Sequence, residues 1–239
     1  MSSRVLAILG ATATGKTAVA VDVALRLDGE VISLDSRQVY RGMDIGTAKP
    51  TAAEMQGVPH HGFDLVDPNE RFSAGRFADL ARSLIADIGG RGRVPILAGG
   101  TGFYLRALTE PMFEEPAADE SRREAWKRYL SGLALPELAR WAGRLDPGAA
   151  GRLRDRQRLA RAVEVAMLTG RPLSWWRDHA PSRTPPIDPV VTVLDLPRGI
   201  LVRRIEDRVD AMIRRGLADE VRSLLQRGYG PDDPGLRTT

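Results

Sequence analysis

Near the amino terminus, Gly10-Ala11-Thr12-Ala13-Thr14-Gly15-Lys16-Thr17 fits the pattern G-x-x-x-x-G-K-[ST]. Residues of these types at this spacing can cradle a phosphate. The glycines let successive backbone N–H groups turn toward one oxyanion, and a helix starting at the loop's end adds its positive dipole terminus. Lys16 would neutralise the terminal phosphate, and Thr17 would offer its hydroxyl to Mg²⁺. The chain has three lysines (Lys16, Lys49 and Lys127) against 32 arginines. Keeping lysine in the loop suits a compact point charge where a planar fork would not fit. Further on, Asp35 closes an apolar run, and Gly99-Gly100-Thr101-Gly102 closes another. With no histidine, thiol or serine triad beside them, these groups suit chemistry in which a phosphate is transferred or leaves. Asp35 is open to three readings: a magnesium ligand, a general base on an incoming nucleophile, or a structural cap of the next turn.

The flanking elements are of the kind that can position such groups. Arg4–Leu9 reads as a buried strand before the loop, and Ala18–Leu27 as a helix after it. Glu30–Ser36 reads as a second strand with Asp35 at its carboxyl end, where open α/β sheets place ligand-binding residues. Residues 37–50 lack periodicity and read as an ordered functional loop, and 51–72 as irregular chain. Ser73–Ile88 has Phe77, Leu80, Ala81, Leu84 and Ile88 at helical spacing, with Gly89-Gly90 as the stop. Val94–Ala98 is a third strand, its proline expected among the first residues, where the N–H need not pair. The turns after the first and third strands are expected to converge on one ligand beside Asp35.

From Pro116 the alternation gives way to helices only, over roughly 119–132, 136–145 and 155–169. All four tryptophans, Trp126, Trp141, Trp175 and Trp176, lie in this block. They read mainly as core anchors, with a base-stacking surface as the minor alternative. After a connector over Pro181–Pro186, Val190–Leu196 returns to strand, and 199–215 and 217–227 to amphipathic helices. The fold class expected is α/β: a P-loop NTPase-like parallel sheet flanked by helices. Its core, residues 1–115 and 187–239, is interrupted by an all-helical insertion, 116–186.

At 239 residues, with 28% charged and 43% apolar, the composition is that of an ordinary globular protein. No apolar run approaches a membrane span, no leader precedes the first strand, and cysteine is absent, which together point to a cytoplasmic protein without disulfides or thiolate metal sites. His60, His61 and His179 are too few and scattered to be assigned a metal. The net charge of +4 is unevenly spread: residues 116–185 hold 14 basic against 8 acidic side chains. A basic excess confined to one block suggests a polyanionic partner there, the alternative being an arginine-rich solvated face.

Gly10–Thr17, Asp35–Pro50, Gly57-Val58-Pro59-His60-His61, Gly99-Gly100-Thr101, Gln157–Val165 and Gly235–Thr239 together resemble the tRNA dimethylallyltransferase family, in order and across nearly the whole chain. The resemblance implies transfer of a dimethylallyl group from dimethylallyl diphosphate to N6 of adenosine 37 in tRNA. On that reading the loop and Mg²⁺ hold a diphosphate leaving group, Asp35 is the general base, and Thr101 contacts substrate near the reacting amine. ATP binding, suggested by the loop motif alone, is not required by the reaction. Positions matching tRNA contacts are Asp35, Ser36, Arg37, Gln38, Thr101, Arg123, Gln157, Arg158, Leu159, Ala160 and Arg161, with the helical insertion gripping the anticodon stem-loop and the enzyme acting as a monomer. The chain departs from the family at Ala11 and Thr14, where proline and serine are usual, and stops at Thr238-Thr239, where the family continues. Three rivals remain: an isopentenyltransferase acting on free adenylate, a small-molecule kinase and a non-catalytic RNA-binding module.

Overall fold

The structure, a computed structural model, describes residues 4–110, 119–153, 155–179 and 186–237. The chain forms two compact units, one from residues 1–110 and 186–239 and the other from 111–185. The expected connector at Pro116, that over Pro181–Pro186 except its last residue, and the terminal Thr238-Thr239 lie outside the described residues.

The first unit is built on a five-stranded parallel sheet. Numbered along the chain, its strands are β1 (Leu6–Gly10), β2 (Gly29–Leu34), β3 (His60–His61), β4 (Val94–Gly99) and β5 (Val190–Leu194), in spatial order β3-β2-β4-β1-β5. Its helices are α1 (Lys16–Leu27), α2 (Ala52–Met55), α3 (Ala74–Gly90), α4 (Gly102–Thr109), α10 (Arg198–Arg214) and α11 (Leu217–Gln226). Parallel pairing demands helical crossovers on the sheet faces, so the inner strands read as apolar runs. Every residue of β2 is buried. Ala20, Val21 and Ala24 of α1 pack with Ile8, Val31 and Ile96 of the sheet. On α3, Phe77, Ala81, Ile85 and Ile88 are buried, and the Phe77 ring stacks on Tyr104 of α4 at 4.2 Å between centroids. Each such large side chain contributes roughly 1.5–3 kcal/mol on burial. Ile187 N–H donates to Leu108 O at 2.9 Å, so the chain leaves and re-enters this unit side by side.

The structure departs from the sequence expectations at several elements. The second strand ends at Leu34, because Asp35 leaves the ladder to accept from Arg37 N–H. Gly89 and Gly90 do not stop α3; they remain helical, and Arg91 N–H closes the last turn on Asp87 O. The strand at Val94–Gly99 is fourth in the chain and central in the sheet; its Pro95, opposite Glu30, does fall among its first residues as expected. The stretch 51–72 is not wholly irregular: Thr51 and Glu54 form a capping box that starts α2, and His60-His61 pair with Val31-Ile32 as β3. β5 stops at Leu194, short of Leu196, and as an edge strand leaves Val190, Val191 and Val193 exposed.

The second unit is helical: α5 (Glu120–Gly132), α6 (Leu135–Leu145), α7 (Pro147–Ala150), α8 (Arg156–Thr169) and α9 (Leu173–His179). Leu130, Leu138, Ala142, Leu159, Ala162 and Val163 form its core, with Trp126 and Trp141 packed at the edge. Asp146, fully buried at the end of α6, accepts from Ser174 N–H and Oγ–H at 2.9 and 2.6 Å, which ties α9 in. Trp176 Nε1 donates to Thr169 Oγ1, and Trp175 stacks on His179.

Candidate active site

All parallel strands of one sheet share an edge for their carboxyl ends, and three of them deliver the candidate residues of the core unit there. β1 ends in Gly10, from which the loop runs to α1. Gly15 sits at φ +93°, a left-handed conformation open to glycine at little cost, and caps α1 with no side-chain hydrogen bond. The first amides of α1 therefore have no side chain competing for them, and the helix end is ready for an anion. Thr14 Oγ1 donates to Ala11 O at 2.9 Å and shapes the turn. Lys16 Nζ folds back onto the same carbonyl at 2.6 Å. Ala11, Thr12, Gly15 and Thr17 are exposed, and Ala13 is half-buried.

β2 ends one residue before Asp35, which is half-buried. Its Oδ1 accepts from Arg37 N–H at 2.8 Å. β4 ends at Gly99, where space is tightest: a Cβ there would stand 2.1 Å from Leu34 O, and one on Gly100 would stand 3.3 Å from Gly10 O. The absence of side chains lets the turn pass between the ends of β2 and β1. Thr101 N–H then donates to Leu34 O, and Thr101 Oγ1 accepts from Ser36 N–H, both at 3.1 Å. The expected convergence of the turns after β1 and β4 beside Asp35 is the observed arrangement.

The loop after Asp35 is bonded largely to itself and to the carboxyl-terminal stretch. Arg37 sends its guanidinium to Pro234 O and Gly235 O at 3.3 and 2.6 Å. Gln38 accepts from Ser33 Oγ and donates to Thr47 O and Ala48 O. Lys49, almost fully buried, bonds Tyr40 O, Asp44 and Asp64 at 2.5–2.7 Å and staples the loop closed. The side chains of Arg37 and Gln38 thus have structural partners already.

A cleft of about 390 Å³ opens from this edge. Thr12, Asp35 and Arg208 give it polar walls, and Val209, Met212 and Leu224 are among its apolar ones. Arg208, on α10, was not legible as a site residue, since its helix carries several arginines and the sequence distinguishes none of them. Burial lowers the pKa of Lys16; Asp35 opposes that fall and Arg208 adds to it. Burial likewise lowers that of Arg208, again opposed by Asp35. Lys16, Asp35 and Arg208 therefore lie within electrostatic reach of one another. Tyr104, buried three residues beyond Thr101, has its pKa pushed up by burial first, then by Tyr40 and Asp35.

Among the described residues no group of three or more His, Cys, Asp or Glu side chains could hold a metal. The exposed Thr17 hydroxyl beside a phosphate cradle instead suits a hard cation such as Mg²⁺, which keeps several waters and shares phosphate oxygens.

In the helical unit, Arg123 and Arg161 lie 3.7 and 3.2 Å from the buried Glu164 carboxylate, and Arg158 is 3.3 Å from Asp155, the N-cap of α8. Gln157 and Arg158 are exposed. Leu159 packs inside the helical core and offers no contact surface, and Ala160 is half-buried against the same core.

A parallel sheet with a glycine-rich loop running into α1 defines the class: a P-loop NTPase-like protein with an anion site at its strand ends. A family model described as IPP transferase matches residues 38–239, and one described as Isopentenyl transferase matches 3–62. A tRNA dimethylallyltransferase of Desulforudis audaxviator (strain MP104C) is 49% identical over 227 residues, covering 94% of this chain and 73% of that one. One of Roseiflexus sp. (strain RS-1) is 47% identical, covering 97% and 76%. The crystal structure of the full-length tRNA isopentenylpyrophosphate transferase of Bacillus halodurans matches with a TM-score of 0.65 at 40% identity, covering 99% of this chain and 74% of that one. A eukaryotic dimethylallyltransferase, solved acting on tRNA, matches with a TM-score of 0.82 at 30% identity, covering 97% and 59%. The chain belongs to the IPP transferase family, a family of prenyltransferases whose curated members here are tRNA dimethylallyltransferases. No helix among the described residues is long and apolar enough to cross a membrane.

Proposed function

We propose that this chain transfers the dimethylallyl group of dimethylallyl diphosphate to N6 of adenosine 37 in tRNA. The observation that carries the reading is the convergence of the phosphate loop, Asp35 and Thr101 at one sheet edge, beside an apolar-walled cleft. The loop amides and Lys16 would hold the diphosphate, and Thr17 would be the protein ligand for Mg²⁺. Bound there, the ion would add positive charge against the leaving oxygens. Arg208, which lines the same cleft, adds a further cation.

Chemically, the C1–O bond breaks and its electron pair leaves with the diphosphate. The N6 lone pair forms the new bond to C1, and the displaced N6 proton passes to the Asp35 carboxylate. Adenine N6 is a poor nucleophile because its lone pair is delocalised into the ring, so a carboxylate accepting one N–H sharpens it. Charge develops on the departing oxygen, where the fixed loop amides and Lys16 act at little reorganisation cost. Met212, Val209 and Leu224 would surround the five-carbon chain and keep water from C1. Thr101, bonded to Leu34 and Ser36 on either side of Asp35 in the chain, would orient the amine.

The helical unit, with Arg123, Gln157, Arg158 and Arg161, would hold the anticodon stem-loop through phosphate contacts that position without reading sequence. Adenosine 37 must leave its stack to react, at a cost of about a few kcal/mol. The reading places the enzyme in the cytoplasm as a monomer, with the catalytic core assembled from one chain. It is tested by mass spectrometry of nucleosides after incubation with Mg²⁺, dimethylallyl diphosphate and an anticodon stem-loop bearing adenosine 37. A gain of one C5H8 unit on that adenosine, lost in Asp35→Ala, is the expected result. Phosphoryl transfer from ATP without prenylation would overturn it.

A further inference from the structure

Glu220 lies in the first turn of α11, where a carboxylate ordinarily serves its own helix end. Here it is turned outward. Its Oε2 accepts from Asp44 N–H and Ile45 N–H at 2.8 and 2.7 Å, and its Oε1 accepts from Gly46 N–H at 2.9 Å. Three successive amides on one carboxylate make a charge-assisted clamp across 174–176 residues of sequence. Contact is close, since a Cβ on Gly46 would stand 3.3 Å from Oε1 and 3.2 Å from Leu217 Cδ1.

The clamped turn is continuous with the site. Gln38 Nε2 donates to Thr47 O and Ala48 O just beyond it, and Gln38 Oε1 accepts from Ser33 Oγ at the end of β2. Asp35 lies between those two anchors and is itself held by Arg37 N–H. Glu220 also lines the same cleft as Asp35 and Arg208. A bare carboxylate there would repel a diphosphate. Three amides offset that charge, so the cleft tolerates a carboxylate whose work is to hold the loop.

We propose that Glu220 is a positioning residue: it fixes the 44–46 turn and, through Gln38, the place of Asp35 relative to the bound substrates. This rests on the proposed prenyl transfer. The test compares wild type, Glu220→Gln and Gly46→Ala for kcat and for KM toward dimethylallyl diphosphate, with backbone hydrogen exchange. Glutamine keeps the shape but turns one accepting oxygen into a donor that faces a donor.

Both variants should lose about tenfold or more in kcat while KM for dimethylallyl diphosphate stays within about threefold, because the phosphate loop is untouched. Amides 44–46 should lose protection in Glu220→Gln, and those of α1 should not. A kcat within about twofold of wild type would overturn the proposal. So would a raised KM at unchanged kcat, which would make Glu220 a substrate-binding group. Loss of cooperative folding in both variants would reduce the clamp to general stability and overturn it too. A wild-type chain that makes no product would sink the functional reading itself, and the positioning role with it.

Discussion

Replacing Gly99 by alanine should separate the strand ends that hold the site. The added Cβ would stand 2.1 Å from Leu34 O, 2.5 Å from Leu34 C and 2.8 Å from Leu34 Cβ. None of these is the tip of a flexible side chain, so β2 and β4 must part. Reaching an ordinary contact of about 3.4 Å needs a shift of about 1.3 Å at that point. Overpacking of this kind costs about 1–3 kcal/mol. The shift also breaks Thr101 N–H to Leu34 O and Ser36 N–H to Thr101 Oγ1, at about 1 kcal/mol each. Together that is about 3–5 kcal/mol, or roughly 10 °C in Tm for a chain of this size. Because Asp35 rides on the end of β2, a displacement near 1 Å should lower kcat about 100-fold.

Two neighbouring glycines calibrate the argument. Gly100→Ala meets Gly10 O at 3.3 Å and calls for movement of only tenths of an ångström; Gly102→Ala, in the first turn of α4, meets nothing within 4 Å. Thermal unfolding by circular dichroism and initial rates of prenylation should rank Gly102→Ala at or above wild type, Gly100→Ala below it and Gly99→Ala lowest. A Gly99→Ala protein with Tm within about 2 °C of wild type and near-normal kcat would refute the steric reasoning.

Two further outcomes follow from buried polar groups in the core unit. Tyr104 is buried and its hydroxyl has no hydrogen-bond partner among the described residues, so Tyr104→Phe should raise stability by about 1–3 kcal/mol in a thermal melt, and a lowered Tm would mean a buried water serves that hydroxyl. Glu30, buried between Arg91, His61 and Arg93, has its pKa held down at about 2, first by the Arg91 hydrogen bonds. Its ionised form thus stabilises the fold fully above the unfolded value near 4.5, and that contribution is lost as pH falls through 2. Urea titrations across that window should show a shallower loss of stability in Glu30→Gln, and an unchanged slope would refute the pairing.

Much of the site was legible before any coordinates. The spacing of Gly10, Gly15, Lys16 and Thr17 dictates a phosphate turn because only backbone geometry and one cation are required, and both are local. Apolar runs ending in Asp35 and in Gly99-Gly100 announced parallel strands, since a strand buried on both faces must be apolar throughout. The switch to helices in the middle of the chain was visible as a change of period. What escaped the sequence was short or non-local. β3 is two histidines that become a strand only by pairing with Val31 and Ile32. α4 starts from a glycine-rich turn with no side-chain cap to mark it. Arg208 and Glu220 sit on amphipathic helices among many similar charges, and nothing local sets them apart.

The sequence by itself determined the loop, the longer strands and helices and the family, because each depends on neighbours within a few residues or on motifs read in order. Only the tertiary structure decided which strand ends touch, that Gly99 must lack a side chain because Leu34 O occupies its space, and that a carboxylate from α11 holds a turn some 175 residues away. Such contacts are set by packing distances between elements, and packing distances are not written in any local run of residues.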